Sequence, residues 1–246
     1  ALSACQNECK KQVSDDWSNY HVGYINFVDK APKSKGSAIY HQIITNPEAY
    51  ITSQAKDVLS TLYFSPADSI VRVDTLHYSL QDIKGISAKD GGNGVVSIFY
   101  STQHVEKSFA MNDTAKVLFE TRGVLLHELT HAYQLEPQGI GNYGNSRVFW
   151  AFIEGMADAV RIANGGFGEG SRPIGGSYMD GYRTAGYFFV WLRDNKDPDF
   201  LKKFNRSTLE VIPWSFEGAI QHVLGKEYHI DELWHEYQVA VGDIEA

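Results

Sequence analysis

Residues 125–133 read LLHELTHAY, and this stretch decides the fold because its two histidines, His127 and His131, lie four positions apart. On an α-helix, residues four positions apart share one face, so both imidazoles can reach a single metal ion. Glu128 then stands beside the open coordination position, where it can take a proton from a water molecule that the metal activates. The alternative is a helix that carries two core or surface histidines, because the HExxH pattern also occurs by chance.

The composition of the whole chain limits the classes of protein to which it can belong. Its 246 residues, 43% of them hydrophobic, suit one large domain or two small lobes with a real core. The net charge of −8 argues against a nucleic-acid binder, because such proteins carry an excess of cations that neutralise phosphates. No apolar run approaches the roughly 20 residues that span a bilayer. We therefore expect neither a nucleic-acid partner nor a membrane partner.

The N-terminal part of the sequence suggests a secreted protein. The first residue is Ala1 rather than Met, which indicates a processed or trimmed N-terminus. Cys5 and Cys9 are four positions apart, which in a helical turn is within disulfide reach, although metal ligation or free thiols fit the same spacing. A local disulfide in a secreted protein is the interpretation we favour. Two N-glycosylation acceptor patterns, at Asn112 and Asn205, more readily arise by coincidence.

The order of predicted elements places strands early and helices late. Three segments mix β-branched and aromatic residues and predict strands: 20–28, 70–78 and 95–101. Asn46 and Pro47 supply the cap and the first residue of a helix that extends to about residue 63. The glycine-rich segment 89–94 predicts a hairpin-type turn, and it has too few carboxylates for a calcium loop. This order indicates an α+β fold.

The HExxH helix is predicted over about 114–135, with an apolar stripe that should pack on the sheet: Leu118, Leu125, Leu129 and Ala132. One proline and three glycines then break the helix, and Ser146 can cap the next one. We expect a single domain over 1–246, with the sheet and the HExxH helix in about 20–135 and a helical subdomain in about 145–246.

The helix after Ser146 carries two carboxylates in an apolar setting. Apart from Glu154, Gly155 and Asp158, residues 149–160 are apolar on every side, so the helix should be buried. Two buried carboxylates four positions apart are costly unless they are paired or bound to a metal. Ion pairs with nearby arginines, Arg147 and Arg161, are one solution. Together with HExxH, we favour Glu154 as the third ligand of one catalytic Zn²⁺, and Asp158 as acceptor of a hydrogen bond from a zinc-binding histidine.

The HExxH…EGxxD combination resembles the gluzincin metallopeptidases, in which a glutamate on a following helix completes the zinc site. Three stretches in order resemble the basic secretory protein family more closely: GVLLHELTHAYQ (123–134), FIEGMADAVR (152–161) and GYRTA (181–185). These proteins are described as secreted zinc peptidases of plants, fungi and bacteria. The resemblance extends from about Tyr20 to the C-terminus. It implies a zincin-like fold, with a twisted mixed sheet packed on the HExxH helix, bound zinc and proteolysis. This chain is acidic rather than basic, so we expect no role that depends on positive charge.

The resemblance also implies a donor for the oxyanion of the tetrahedral intermediate. In gluzincins similar to aminopeptidases, a tyrosine downstream of the third ligand supplies it. Tyr182, at the start of a predicted helix, is the candidate for this catalytic role. Tyr178, His222 and His229 are rivals, and a structural tyrosine fits the same position.

These observations favour a secreted, monomeric zinc metallopeptidase with Glu128 as general base. Its partner would be a peptide or protein substrate, bound by strand addition if 95–100 is an edge strand beside the HExxH helix. The sequence does not choose between an endopeptidase and an aminopeptidase. A non-catalytic secreted protein that keeps zinc for binding or defence is the main alternative, and zinc-dependent hydrolysis of a non-peptide bond is another. The intact Glu128 favours an enzyme, because a structural zinc site needs no general base.

Overall fold

The structure is a computed structural model, and it describes residues 17–246. The Cys5–Cys9 pair lies outside the described residues. The chain forms two compact units, Ala1–Tyr133 and Gln134–Ala246, which divide at the end of the HExxH helix. The expected single domain over 1–246 stays a prediction.

The N-terminal unit contains a four-stranded mixed sheet. Its strands are β1 (Tyr24–Asp29), β2 (Val73–Gln81), β3 (Ser87–Gly92) and β4 (Gly94–Ser101), in the order β1-β2-β4-β3. β1 pairs with β2 and β2 with β4 in parallel, whereas β3 pairs with β4 in antiparallel. The predicted α+β class and mixed sheet are confirmed.

The hairpin-type turn predicted at 89–94 is confirmed, because β3 and β4 pair in antiparallel and Asn93, with φ 53°, makes the tight connection between them. The turn is shorter than predicted, since residues 89–92 belong to β3. The composition SAKDGG disfavours a strand, and pairing with β4 overrides that preference. The prediction of an edge strand at 95–100 is wrong, because β4 is hydrogen-bonded to β2 on one side and to β3 on the other. The edges of the sheet are β1 and β3.

Among residues 17–133, four α-helices accompany the sheet: α1 (Lys35–Ile43), α2 (Pro47–Leu62), α3 (Thr102–Ser108) and α4 (Thr114–Tyr133). The predicted start of α2 is confirmed, since the side chain of Asn46 accepts a hydrogen bond from the amide of Ala49 and Pro47 begins the helix. α4 is the HExxH helix, and it packs against β3 and α2. The hydroxyl of its last residue, Tyr133, donates to the carbonyl of Val22, which anchors the end of the helix.

The buried face of α4 differs slightly from the predicted stripe. Leu125, Leu129 and Ala132 are buried as expected. Leu118 is 36% exposed, whereas its neighbour Val117 is fully buried, so the prediction for Leu118 is wrong. At the N-terminal end of α4, the buried position is therefore Val117, one residue before the predicted one.

The C-terminal unit is helical: α5 (Arg147–Ala163), α6 (Tyr182–Asn195), α7 (Phe200–Glu210), α8 (Phe216–Leu224) and α9 (Ile230–Ala240). Its core is rich in buried aromatic rings in mutual contact, among them Phe152, Phe189, Phe204, Trp214 and Phe216. Among residues 17–246, no helix combines the length and the apolar character needed to cross a membrane.

One of the two glycosylation patterns is excluded by its place in this unit. Asn205 is fully buried in α7, and its side-chain oxygen accepts a hydrogen bond of 2.9 Å from the amide of Leu135. An asparagine in this position cannot carry a glycan in the folded protein. Asn112 is exposed, so its pattern stays open.

Candidate metal centre

The first part of the site is the pair of histidines on α4. His127 and His131 are half-buried, and their Nε2 atoms lie 3.0 Å apart. The two rings are perpendicular, with centroids 4.7 Å apart. A tetrahedral zinc ion with Zn–N bonds of 2.0–2.1 Å holds two ligand nitrogens about 3.3 Å apart. The helical spacing therefore brings the two ε nitrogens to a separation close to what one metal ion requires, as predicted.

Glu128 lies on the same turn of α4 and is only 6% exposed. Burial raises the pKa of Tyr78 on β2 well above its usual range, and the negative charge of Glu128 contributes to that shift. Glu128 is thus nearly buried and close enough to Tyr78 for its charge to act on that side chain.

α5 carries the two carboxylates predicted for the site. Residues 151–160 are all buried, and Glu154 and Asp158 are each 4% exposed, so the predicted burial of this helix is confirmed. The predicted cap is also confirmed, because the Ser146 hydroxyl accepts from the amide of Phe149 at 3.2 Å. The hydrogen bond between Asp158 and a zinc-binding histidine stays a prediction.

The two arginines considered as ion-pair partners make further contacts within the C-terminal unit, and the ion pair of Arg161 with Asp158 stays an open alternative. Arg147 lies over the ring of Trp150 at 4.3 Å and is 3.7 Å from Asp180. Arg161 donates to the carbonyl of Gly166 at 3.0 Å and stands 3.9 Å above the ring of Phe167.

The structure adds one residue that the sequence reading missed. The hydroxyl of Tyr143, in the loop before α5, donates a hydrogen bond of 2.7 Å to Oε1 of Glu154. Burial raises the pKa of Tyr143, and its hydrogen bond to Glu154 raises it further, so the phenol stays protonated and remains a donor. The only signal in the sequence was a tyrosine within the glycine-rich break at 139–144, and no spacing rule links that position to Glu154.

Tyr182 lies at the same end of α5. It is the first residue of α6, has φ 42°, is 46% exposed, and meets the ring of Trp150 edge-on at 5.5 Å. The preceding Gly181 faces Glu154 closely, because a Cβ placed on it would be 3.4 Å from the Cβ of Glu154. The start of α6 therefore borders the candidate third ligand, and the oxyanion role of Tyr182 stays a prediction.

The three rivals to Tyr182 are each engaged with a carboxylate. The hydroxyl of Tyr178 donates to Asp231 at 2.9 Å, and the ring of His222 is hydrogen-bonded to Glu210. Nδ1 of His229 lies 3.4 Å from Glu217.

The predicted ligands form a group that could hold a metal ion. His127, His131 and Glu154 each offer one ligand atom, and these atoms all lie within 4.8 Å of one another. Two imidazoles and one carboxylate leave a coordination position for water in a four-coordinate metal.

Comparison with known proteins identifies the family. A family model named BSP and described as "Peptidase of plants and bacteria" matches residues 24–237. No curated protein and no solved structure matches the chain. The match covers well over half of the chain and agrees with the resemblance to the basic secretory protein family, so this protein belongs to the BSP family of peptidases of plants and bacteria.

Proposed function

We propose that this protein is a secreted zinc metallopeptidase that uses His127, His131 and Glu154 as ligands. The observation that carries the proposal is the convergence of these three ligand atoms to within 4.8 Å in a chain of a peptidase family. Imidazole suits zinc, and two histidines with one glutamate form a donor set known from catalytic zinc sites. Structural zinc sites are usually closed by four protein ligands, whereas the group found among residues 17–246 supplies three.

Bound zinc would supply a water of lowered pKa, about 7, and would polarise the carbonyl of the scissile bond. Glu128 would accept the proton of that water and return it to the leaving amine. Its burial supports this role, because a carboxylate shielded from bulk water holds one orientation and one proton partner. Asp158 would orient a histidine ligand, and Tyr182 would donate a hydrogen bond to the developing oxyanion.

The free edge of β3 is the feature that supports a binding mode for peptides. Among the strands of residues 17–246, β3 pairs with β4 alone, and it packs against the HExxH helix α4 within the N-terminal unit. An extended peptide could add to this edge through main-chain hydrogen bonds. We therefore propose that a substrate peptide adds to β3 and not to β4.

The test compares zinc content and cleavage of a mixed peptide library for the native chain and for Glu128→Gln. We expect about one zinc per chain in both proteins and cleavage by the native chain alone, because only the general base is lost. Glu106→Gln, which neutralises an exposed carboxylate on α3, is the matched control and should cleave like the native chain.

Two results would contradict the proposal. Zinc in both proteins without cleavage by the native chain would favour the non-catalytic binding protein instead. Absence of zinc from the purified native chain, and no uptake when zinc is added, would rule out the metal site itself.

A further inference from the structure

We infer that Tyr143 is a positioning residue that holds Glu154 in the orientation needed to bind the metal. The inference rests on the metal site of the proposed function. Its basis is the 2.7 Å hydrogen bond from the Tyr143 hydroxyl to Oε1 of Glu154, formed between a loop residue and a helix residue eleven positions later.

This hydrogen bond restricts the orientation of the Glu154 carboxylate. A phenol that donates to a carboxylate forms a charge-assisted bond, which is shorter and stronger than one between neutral groups. A free glutamate side chain has several rotamers, and a fixed one loses less entropy when the metal binds.

The loop that carries Tyr143 is itself ordered by local hydrogen bonds. The side-chain oxygen of Asn145 accepts from the amide of Asn142 at 2.8 Å, and that of Asn142 accepts from the amide of Gly144 at 3.0 Å. The amide of Ser146 donates to the carbonyl of Asn142 at 3.0 Å. These bonds enclose Tyr143 on both sides, so its backbone is fixed although its side chain is 48% exposed.

The hydroxyl of Tyr143 therefore has a function toward the metal that is separable from folding. Partners that orient a metal ligand typically contribute 10–100-fold to metal affinity. Removing the hydroxyl leaves the ring and its packing in place, so the folded state should persist while the ligand loses its fixed orientation.

The experiment measures the zinc dissociation constant of the native chain, Tyr143→Phe and Glu154→Gln by competition with a chelator of known affinity. We expect Tyr143→Phe to bind zinc about 10–100-fold more weakly than the native chain. Tyr178→Phe is the matched control, because it removes a tyrosine–carboxylate bond of 2.9 Å to Asp231 in the same unit and should leave the zinc constant unchanged. The melting temperature of each metal-free protein separates loss of fold from loss of affinity.

A second readout uses the turnover number at saturating zinc. If Tyr143 acts through Glu154, zinc in excess should restore most of the turnover of Tyr143→Phe. Suppose that Tyr143→Phe has the zinc dissociation constant of the native chain while Glu154→Gln binds zinc more weakly. That result would overturn the inference and leave the proposed metal site intact. A turnover that stays low at saturating zinc with normal affinity would also overturn it, because Tyr143 would then act on the substrate. No change in Glu154→Gln would remove the basis of both proposals.

Discussion

Gly155 of α5 lies so close to Phe189 of α6 that a Cβ atom placed on the glycine would be 2.7 Å from Cε2 of the ring. The same atom would be 2.8 Å from the Cβ of Ala185. The glycine that follows Glu154 in the EGxxD motif is thus the point at which α5 and α6 make close contact. This contact fixes the turn of α5 that separates Glu154 from Asp158.

Gly155→Ala should destabilise the protein although alanine is the better helix former. The helix preference would add about 1 kcal/mol of stability. Overpacking of a filled core typically costs about 1–3 kcal/mol, and Phe189 is fully buried and cannot move into open space. We expect a lower midpoint in urea unfolding. Gly168→Ala, at an exposed position where a Cβ meets nothing within 4 Å, is the control and should not lower the midpoint. Equal stability of Gly155→Ala and the native chain would contradict the close contact.

Asp158→Asn should weaken zinc binding by about 10-fold or more if Asp158 orients a histidine ligand. The amide keeps the shape of the buried side chain and removes its negative charge, which lowers the basicity of the histidine that it partners. Competition with a chelator of known affinity measures the zinc dissociation constant. Asp194→Asn, an exposed aspartate at the end of α6, should leave the constant unchanged. The same zinc constant in Asp158→Asn and the native chain would show that Asp158 serves packing only.

Tyr182→Phe should lower the turnover number by about 10²–10³-fold with little change in the zinc constant. An oxyanion donor stabilises the transition state more than the bound substrate, so its loss lowers the turnover number. It does not contact the metal ligands strongly, so zinc affinity should change little. Steady-state kinetics on a peptide substrate, together with zinc competition, tests this. A fall in zinc affinity without a fall in turnover at saturating zinc would assign Tyr182 to the support of Glu154 instead.

Asp243→Asn should lower stability at neutral pH and have little effect in acid. Arg172 donates two hydrogen bonds of 2.8 Å to the carboxylate, and these hold the pKa of Asp243 below its usual range. The amide of Gly175 adds a third. A depressed folded pKa contributes stability that is fully present above the unfolded value of about 3.9 and is lost as the pH falls through the folded value.

We therefore expect the native chain to be more stable than Asp243→Asn by about 2 kcal/mol at pH 7, and the difference to shrink below about pH 4. Urea unfolding from pH 7 to pH 2 measures it. Asp74→Asn, which breaks the exposed pair with Arg72, is the control and should change stability by about 0–1 kcal/mol. A difference that is the same at all pH values would contradict the role of the Asp243 charge.

The parts of the fold that depend on local chemistry could be predicted from the sequence. The cap at Asn46, the cap at Ser146 and the burial of Glu154 follow from rules that span one or two helical turns. The alignment of His127 with His131 follows from helical periodicity alone.

The parts that depend on distant contacts could not be predicted. β3 is a strand only because β4 pairs with it, and α1 is short and rests on packing rather than on a strong helical pattern. The hydrogen bond from Tyr143 to Glu154 depends on the conformation of a glycine-containing loop. No helical or strand periodicity predicts such a conformation. β4 lies inside the sheet because of the order of the strands, and no local pattern in the sequence indicates that order.

The composition of β3 bears on how this protein behaves at high concentration. An open strand edge is a template for pairing with any other strand, including the same edge of a second molecule. β3 lies at such an edge, yet it is only six residues long, carries Lys89 and Asp90, and ends in two glycines. Short length and charge disfavour the indefinite stacking of identical strands. These features therefore disfavour the association of two copies of the chain through their β3 edges.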